Sequence, residues 1–421
     1  MRLEGRRESE NVEDRRGMGT GTKVGLGGIG GLIIAGLITL LMGGNIGDVL
    51  SMGVQNEATT QTEFTEEEQQ LAQFARVIEA STEDVWSQIF RENGLELKTE
   101  RGRRVFPCSD NANDVADLLE SICRRRGVRM LCSRVTGITV QDGAVQSVLT
   151  DTGKIPCRSC IVCTGGLSYP LTGSTGDGYR FAESVGHTLT TPRPSLVPLI
   201  CRETCCERMQ GLSLRNVELR VYEDEKLHCR EQGEMLFTHF GVSGPLVLSA
   251  SARMRRFGAS SYRLEIDMKP ALDEKTLDRR LLRDFEKYQN RILSNALTDL
   301  LPHAMIPEVI AAAGASPDLP VHSLTREMRQ RLVQTIKAFP LTVIGPRPVE
   351  EAIVTAGGIR TKEIDPRSMR SRRTEGLFFA GEVLDLDAYT GGYNLQIAWS
   401  TGRMAGKSAA QYAQRHFTET E

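Results

Sequence analysis

The sequence predicts an α/β protein preceded by one membrane-spanning helix. Three observations carry that expectation. Residues 128–166 alternate apolar runs with turn signals, reading strand, turn, strand, turn, strand. The chain closes on a buried-strand run, GLFFAGE, followed by a helical stretch, NLQIAWSTGRMAGKSAAQYAQ. Val24 to Met42 is an uninterrupted uncharged stretch of 19 residues. The bulk numbers agree with an enzyme-like body: 421 residues, 25% of them charged, with a net charge of −2. That is chain enough for two or three domains and too balanced in charge for a dedicated nucleic-acid binder. Ten cysteines follow no small-scaffold spacing, which predicts mostly reduced, buried thiols.

Residues 1–23 read as a charged tail. GLGGIGG at Gly25–Gly31 contains G-x-G-x-x-G, the spacing of a dinucleotide loop. Such a loop needs a buried strand before it and an acid about 20 residues on, at the end of a second strand. RRGMGTGTKV before it is polar and glycine-rich, and Asp48 sits on no strand-like run. As a helix, 24–42 would be about 28 Å long at ~1.5 Å per residue, close to a bilayer core. Its six glycines are compatible with close helix approach in a membrane. The residues therefore favour a transmembrane helix; a buried apolar tail and a phosphate loop are the rival readings. Arg2, Arg6, Arg7, Arg15, Arg16 and Lys23 precede the span, and no Lys or Arg occurs from Gly43 to Ala75. That asymmetry predicts a cytoplasmic N-terminus. Residues 43–92 read as a polar linker and then helix over Phe64–Phe90, with Leu71, Phe74, Ala75 and Ile78 at helical spacing.

Next, NDVADLLESICRRRG reads as a helix, and Asp142-Gly143 and Thr152-Gly153 as hairpin turns. IVCTGG is a strand running into a glycine turn at Thr164, Gly165 and Gly166. Cys157, Cys160 and Cys163 form C-x-x-C-x-x-C without a fourth ligand at metal spacing. Period three on a strand turns successive thiols to opposite faces, so buried strand cysteines are predicted and no metal. Gly376–Ala380 reads as a buried strand ending at Gly381-Glu382. Gly391-Gly392 then admits close backbone approach before a helix that starts near Tyr393-Asn394. The N–H groups of a helix start carry partial positive charge toward a ligand. From the residues alone, an ordinary Gly-Gly turn before a packing helix is an equal reading.

Residues 1–92 resemble the N-terminus of the neutral zinc metallopeptidase family, through MRLEGRRESENVEDRRG, the span and ASTEDVWSQIF. In that family the span anchors an extracytoplasmic peptidase. The peptidase needs H-E-x-x-H, and none of His187, His228, His239, His303, His322 and His416 supplies it. A peptidase is therefore not expected.

Residues 93–421 resemble a bacterial NAD(P)/FAD-dependent oxidoreductase family, the aminoacetone-oxidase-like FAD-binding flavoproteins. The motifs are ERGRRVFPCSD, CTGGLSYPLTGSTGDGYRFAESVGH, RPSLVPL, FTHFGVSGP, FPLTVIGPRPVEEAIVTAGGI and FAGEVLDLDAYTGGYNLQIAWSTGRMAG. Members of the family begin with a strand, G-x-G-x-x-G loop and helix that hold the FAD pyrophosphate, and no counterpart precedes residue 93 here. The resemblance thus implies a truncated FAD-binding domain, Rossmann-like and in two parts (93–199 and 351–421). An α+β substrate or cap domain would be inserted at 200–350. It implies FAD as cofactor, bound weakly or not at all, with NAD(P)H as a second candidate. A small molecule is the implied substrate, and no nucleic acid.

By the same resemblance, Thr164, Gly165 and Gly166 lie near the FAD diphosphate or adenosine, and Gly381 and Glu382 near its ribityl and phosphate. Gly391, Gly392, Tyr393 and Asn394 face the flavin N1–C2=O edge. The loop Thr172–Gly178 reads as a flavin-side or a solvent loop, and His239 as a structural histidine or a proton carrier; no catalytic residue is singled out. The implied activity is flavin-dependent oxidoreduction. The alternative is a membrane-anchored, catalytically inactive chimera joined near Glu92–Leu95. The flavoprotein part alone would be cytoplasmic; the span would make the chain a single-pass membrane protein.

Overall fold

The computed structural model describes residues 86–100 and 104–418. The transmembrane helix expected over 24–42, the tail before it and most of 43–92 lie outside the described residues. Among the described residues, no helix is long and apolar enough to cross a membrane. The chain divides into two units. The first runs to Gly166, takes in Thr175–Pro192 and resumes at Gly357; the second is Leu167–Ser174 with Arg193–Ala356.

The described part of the first unit begins in helix α1 (86–92), whose Trp86 ring packs tilted and whose Phe90 ring packs edge-on to Trp399 at 5.1 and 5.3 Å. A hairpin follows, β1 (Leu97–Glu100) with β2 (Arg104–Pro107). Helix α2 (Ala112–Arg125) is capped by Asn111, whose side chain accepts from the Asn113 N–H at 3.1 Å. Arg124 and Arg125 oppose its dipole in the last turn. None of its residues is fully buried. Strands β3 (Val135–Gln141), β4 (Ala144–Thr150) and β5 (Gly153–Pro156) form an antiparallel sheet. The β3–β4 turn puts Asp142 and Gly143 at φ 51° and 77°, the left-handed pair that a two-residue hairpin requires. After β6 (Cys160–Val162) and α3 (Asp177–Ser184), the chain passes into the second unit within β7 (Leu189–Ser195).

The second unit is a closed six-stranded barrel with helices beside it. Its strands are β8 (Leu199–Cys201), β9 (Ser213–Glu223), β10 (Lys226–Thr238), β11 (Gly241–Ser243), β12 (Tyr262–Asp267) and β13 (Phe339–Pro346). They close in the order β10-β11-β8-β13-β12-β9. Closure leaves no free edge. Leu199, Phe237, Val242, Leu264, Ile266 and Leu341 fill the core with no exposed surface. Short helices α4 (Cys205–Arg208) and α5 (Pro245–Ser251) precede α6 (Glu274–Lys287), which Asp273 caps through the Thr276 N–H at 2.6 Å. Then come α7 (Leu293–Ala296), α8 (Ile306–Ala312) and α9 (Arg326–Lys337), the last capped by Thr325. The chain returns to the first unit within β14 (Val354–Ile359).

There it forms β15 (Ile364–Asp365), β16 (Arg370–Ser371), β17 (Leu377–Phe379) and the terminal helix α10 (Tyr393–Thr418). Sheet order is β15-β16-β17-β6, with β17 and β6 parallel. Residues Leu377 to Ala380 are at most 1% exposed, as the run GLFFA predicts. β6 is the last strand of this sheet among the described residues. Its Ile161 is 36% exposed, which is unusual for an apolar residue of a Rossmann-type strand covered on both faces.

The cysteine expectation needs correction. All ten thiols are free, but Cys201, Cys206 and Cys229 alone are buried. In C-x-x-C-x-x-C, Cys157 and Cys160 are half-buried and Cys163 exposed. The strand is three residues long and is the last of its sheet among the described residues, so the outer two cysteines fall on irregular backbone.

Candidate functional site in the first unit

β17 delivers the chain into Gly381, at φ +76°, and a tight turn over Gly381–Val383. The Gly381 N–H donates to Thr401 Oγ1 at 2.9 Å, so the strand end is tied to α10. The start of α10 is fixed in turn by Asn394. Its side-chain oxygen accepts from the Ala388 N–H at 2.9 Å, and its amide nitrogen donates to the Ala388 carbonyl at 2.8 Å. Gly391 and Gly392, both exposed, have φ of 127° and 94°, a backbone that side chains resist. The Gln396 N–H bonds the Gly392 carbonyl at 3.0 Å, and the first-turn N–H groups point out of the helix start.

The end of β6 meets the same turn through α3. Gly178 has no room for a side chain: a methyl there would lie 2.0 Å from Thr164 Oγ1 and 3.0 Å from Val383 Cγ2. Thr164, the first turn of α3 and the Gly381–Val383 turn therefore form one packed place. Tyr179, the next residue, is 6% exposed. Burial raises its hydroxyl pKa, and the neighbouring Glu382 and Asp385 raise it further, so the hydroxyl stays protonated. Asp385 itself accepts from the Thr190 hydroxyl at 2.6 Å. Beneath β17, buried His187 packs edge-on to Phe379 at 5.0 Å. Its ring contacts Glu363 at 2.9 Å through Nδ1 and Ser371 Oγ at 2.7 Å through Nε2.

Three buried polar atoms of this unit have no hydrogen-bond partner among the described residues: Thr164 Oγ1, Tyr179 OH and Gln396 Nε2. Each such atom costs about 1–3 kcal/mol when nothing pairs with it. Native proteins keep such atoms for water, ions or a ligand. Two of the three are hydroxyls, which donate and accept, and the third is an amide donor. A phosphate loop would stand on the outer side of β6, and no strand lies there among the described residues.

The structure thus packs Thr164 and Val383 on Gly178, and ties Gly381 to the helix that Tyr393 and Asn394 begin after Gly391 and Gly392. The Asn394 side chain is spent on the loop before the helix, through its bonds to Ala388. Gly165 (φ 72°) and Gly166 turn the chain out of β6. His239 lies in the second unit, exposed, with its ring against Phe240. Gly178 closes the loop read as flavin-side or solvent-facing; Tyr179, Gln396 and Thr401, which pack at the same strand end and helix start, were not singled out from the sequence. An aromatic residue directly after a glycine loop that opens a helix was the available signal for Tyr179.

A parallel strand pair, a glycine turn at the strand end and a helix starting beside a double glycine define a Rossmann-like α/β FAD-binding fold. The chain belongs to the HI0933-like family: the profile of the HI0933-like protein Rossmann domain matches residues 49–408. That match begins ahead of residue 93, where the flavoprotein motifs start. The chain is 29% identical over 330 residues to a 3-dehydro-bile acid delta(4,6)-reductase from Clostridium scindens, covering 77% of this chain and 79% of that protein. It is 32% identical over 317 residues to a ribosomal RNA dihydrouridine synthase from Haemophilus influenzae, covering 74% and 75%. It is also 39% identical over 104 residues to the uncharacterized protein YpfJ from Escherichia coli, covering 22% of this chain and 36% of that one.

Proposed function

We propose that the chain is a flavin-dependent oxidoreductase acting on a small organic molecule, with FAD as the group it is built to hold and NAD(P)H as the reductant. The observation that carries this reading is the lock between β17 and α10: the Gly381 N–H on Thr401, beside a helix start opened by Gly391 and Gly392. When bound, the flavin supplies hydride transfer, and the protein supplies position and electrostatics. In this reading Gly381 and Glu382 hold the ribityl side, and the first turn of α10 faces the electron-rich edge of the ring. Gly165 and Gly166 let the backbone approach. The names of the two longer-matching relatives, a reductase and a dihydrouridine synthase, support a reductive reaction. The net charge of −2 supports a small molecule over RNA.

A second reading follows from β6. In this reading the described residues, with no strand on the outer side of β6, supply no pyrophosphate anchor of their own, and the chain would be a flavin binder of impaired activity. Removal of several charge-assisted contacts at ~1.5–3 kcal/mol each weakens FAD by orders of magnitude. Titration of the full chain with FAD and with riboflavin separates the two. An intact site binds FAD at least a hundredfold more tightly; an impaired one binds both alike. Residues 24–42 we assign as a membrane anchor, supported by the charge asymmetry around them. Deleting residues 1–45 should then release the protein from the membrane fraction, and a soluble full chain contradicts the assignment.

A further inference from the structure

We propose that residues 63–80 of this chain dock on the basic, half-covered face made by α2 and the stretch Val128–Leu131. Helix α2 carries Val115, Leu118 and Ile122 at helical spacing, and none of them is buried. Just beyond it, Val128, Met130 and Leu131 are 51, 45 and 53% exposed. The Val128 N–H bonds the Cys123 carbonyl at 3.0 Å, which holds this stretch against the helix end. Apolar residues gathered on a surface in this way mark a contact with something else. The rim is basic. Arg124 is taken by Glu120 and Arg125 by Asn93, whereas Arg126 and Arg129 are exposed and meet no acid among the described residues.

Connection, patterning and charge select the occupant. Residues 63–80 lead into α1, whose Phe90 is 5% exposed and packs on Trp399, so the chain that follows them is seated on the first unit. Arg125 donates to the Asn93 side-chain oxygen at 2.7 Å, which sets the end of α1 beside the end of α2. Ser81, three residues ahead of Asp84, is a helix-start signal. Residues 63–80 therefore read as a helix of their own, joined by a turn to α1 at a distance on the order of 15 Å from that bond. Leu71, Phe74, Ala75 and Ile78 form its apolar stripe, and two striped helices bury their stripes by packing together. Glu63, Glu66, Glu67, Glu68 and Glu79 stand against Arg76 alone, an acidic segment for a basic rim. A second copy of this face would instead bring Arg126 and Arg129 against their own counterparts.

Peroxide oxidation of Met130 in the full chain, read by mass spectrometry of its peptide, tests the docking, since oxidation follows exposure. We expect Met130 to react about tenfold more slowly than in a synthetic peptide of residues 125–134. Leu71→Asp with Phe74→Asp should bring it to within about twofold of that peptide. Met235, 1% exposed in the barrel, should stay slow in both chains and so report that the body is folded. Arg126→Glu with Arg129→Glu should speed Met130 part of the way, as should about 1 M salt, which screens the charges. Fast oxidation of Met130 in the unaltered chain means an open face and overturns the proposal. Slow oxidation that Leu71→Asp with Phe74→Asp leaves unchanged also overturns it; a rate that then depends on protein concentration identifies a second copy as the cover.

Discussion

The barrel of the second unit and the β1–β6 half of the first unit are stabilised in different ways. The barrel closes on itself and packs Phe237, Leu199 and Leu264 with no exposed surface. The other half is open. Among the described residues, helix α2 buries no residue completely; Val105, Val128, Met130 and Leu131 are each 45–54% exposed; and β6 is the last strand of its sheet. Among the described residues, the second unit has a closed core of its own, and the β1–β6 half of the first unit does not. The contrast should be largest in core substitutions. Phe237→Ala should cost about 3–5 kcal/mol, whereas Leu119→Ala on half-buried α2 should cost under about 1 kcal/mol. Denaturant midpoints for the two variants check this, and equal losses would erase the distinction. Hydrogen exchange should likewise open residues 104–163 before the barrel strands.

A medium effect sharpens the comparison within the first unit. Alanine at an ordinary helical glycine stabilises by up to about 1 kcal/mol. At Gly178 the methyl would meet Thr164 Oγ1 at 2.0 Å, so Gly178→Ala should destabilise by about 1–3 kcal/mol. A stabilised variant would show that Thr164 moves aside freely.

A smaller effect is pH dependence around His187. Burial lowers its pKa, more than the hydrogen bond to Glu363 raises it. The folded protein therefore holds the ring neutral, and the unfolded chain binds the proton first, near pH 6.5. This contribution is present above that pH and is lost as pH falls below it. Glu363 adds a second loss. Burial opposes its ionisation, but Arg373, Thr188 and His187 outweigh burial and hold it down to about 2. Its contribution disappears as pH drops from about 4.5, its unfolded value, toward 2. Melting temperatures between pH 8 and 4 should fall on the acid side, and His187→Gln should flatten the upper part of that fall. The smallest effect is expected at the exposed Glu120–Arg124 pair, where Glu120→Gln should change stability by less than about 0.5 kcal/mol.

Much of the first unit was legible. The buried run at Leu377–Ala380, the left-handed Asp142-Gly143 turn and a helix beginning at Tyr393 each follow from local residue chemistry. The barrel was not legible, because β8 and β11 are three residues long and acquire meaning from closure alone. Asn394 was read as facing a flavin edge; its side-chain bonds to Ala388 were not legible, since they depend on how the loop folds back. Tyr179 and Thr164 stand out by what their hydroxyls lack, and a missing partner cannot be seen in a sequence. The cysteine pattern misled for a related reason: period three was read on a strand too short to carry it.

The proposed flavin-ring site lies where β17 meets the start of α10. The most direct test is equilibrium titration of the full chain with riboflavin, read by tryptophan emission. Of the two tryptophans, Trp399 lies on α10 and Trp86 stacks on it. Saturable one-to-one quenching is predicted, with at least a tenfold loss in Gly392→Val, whose side chain the backbone at φ 94° resists. Quenching that never saturates, or that Gly392→Val leaves intact, would contradict the account.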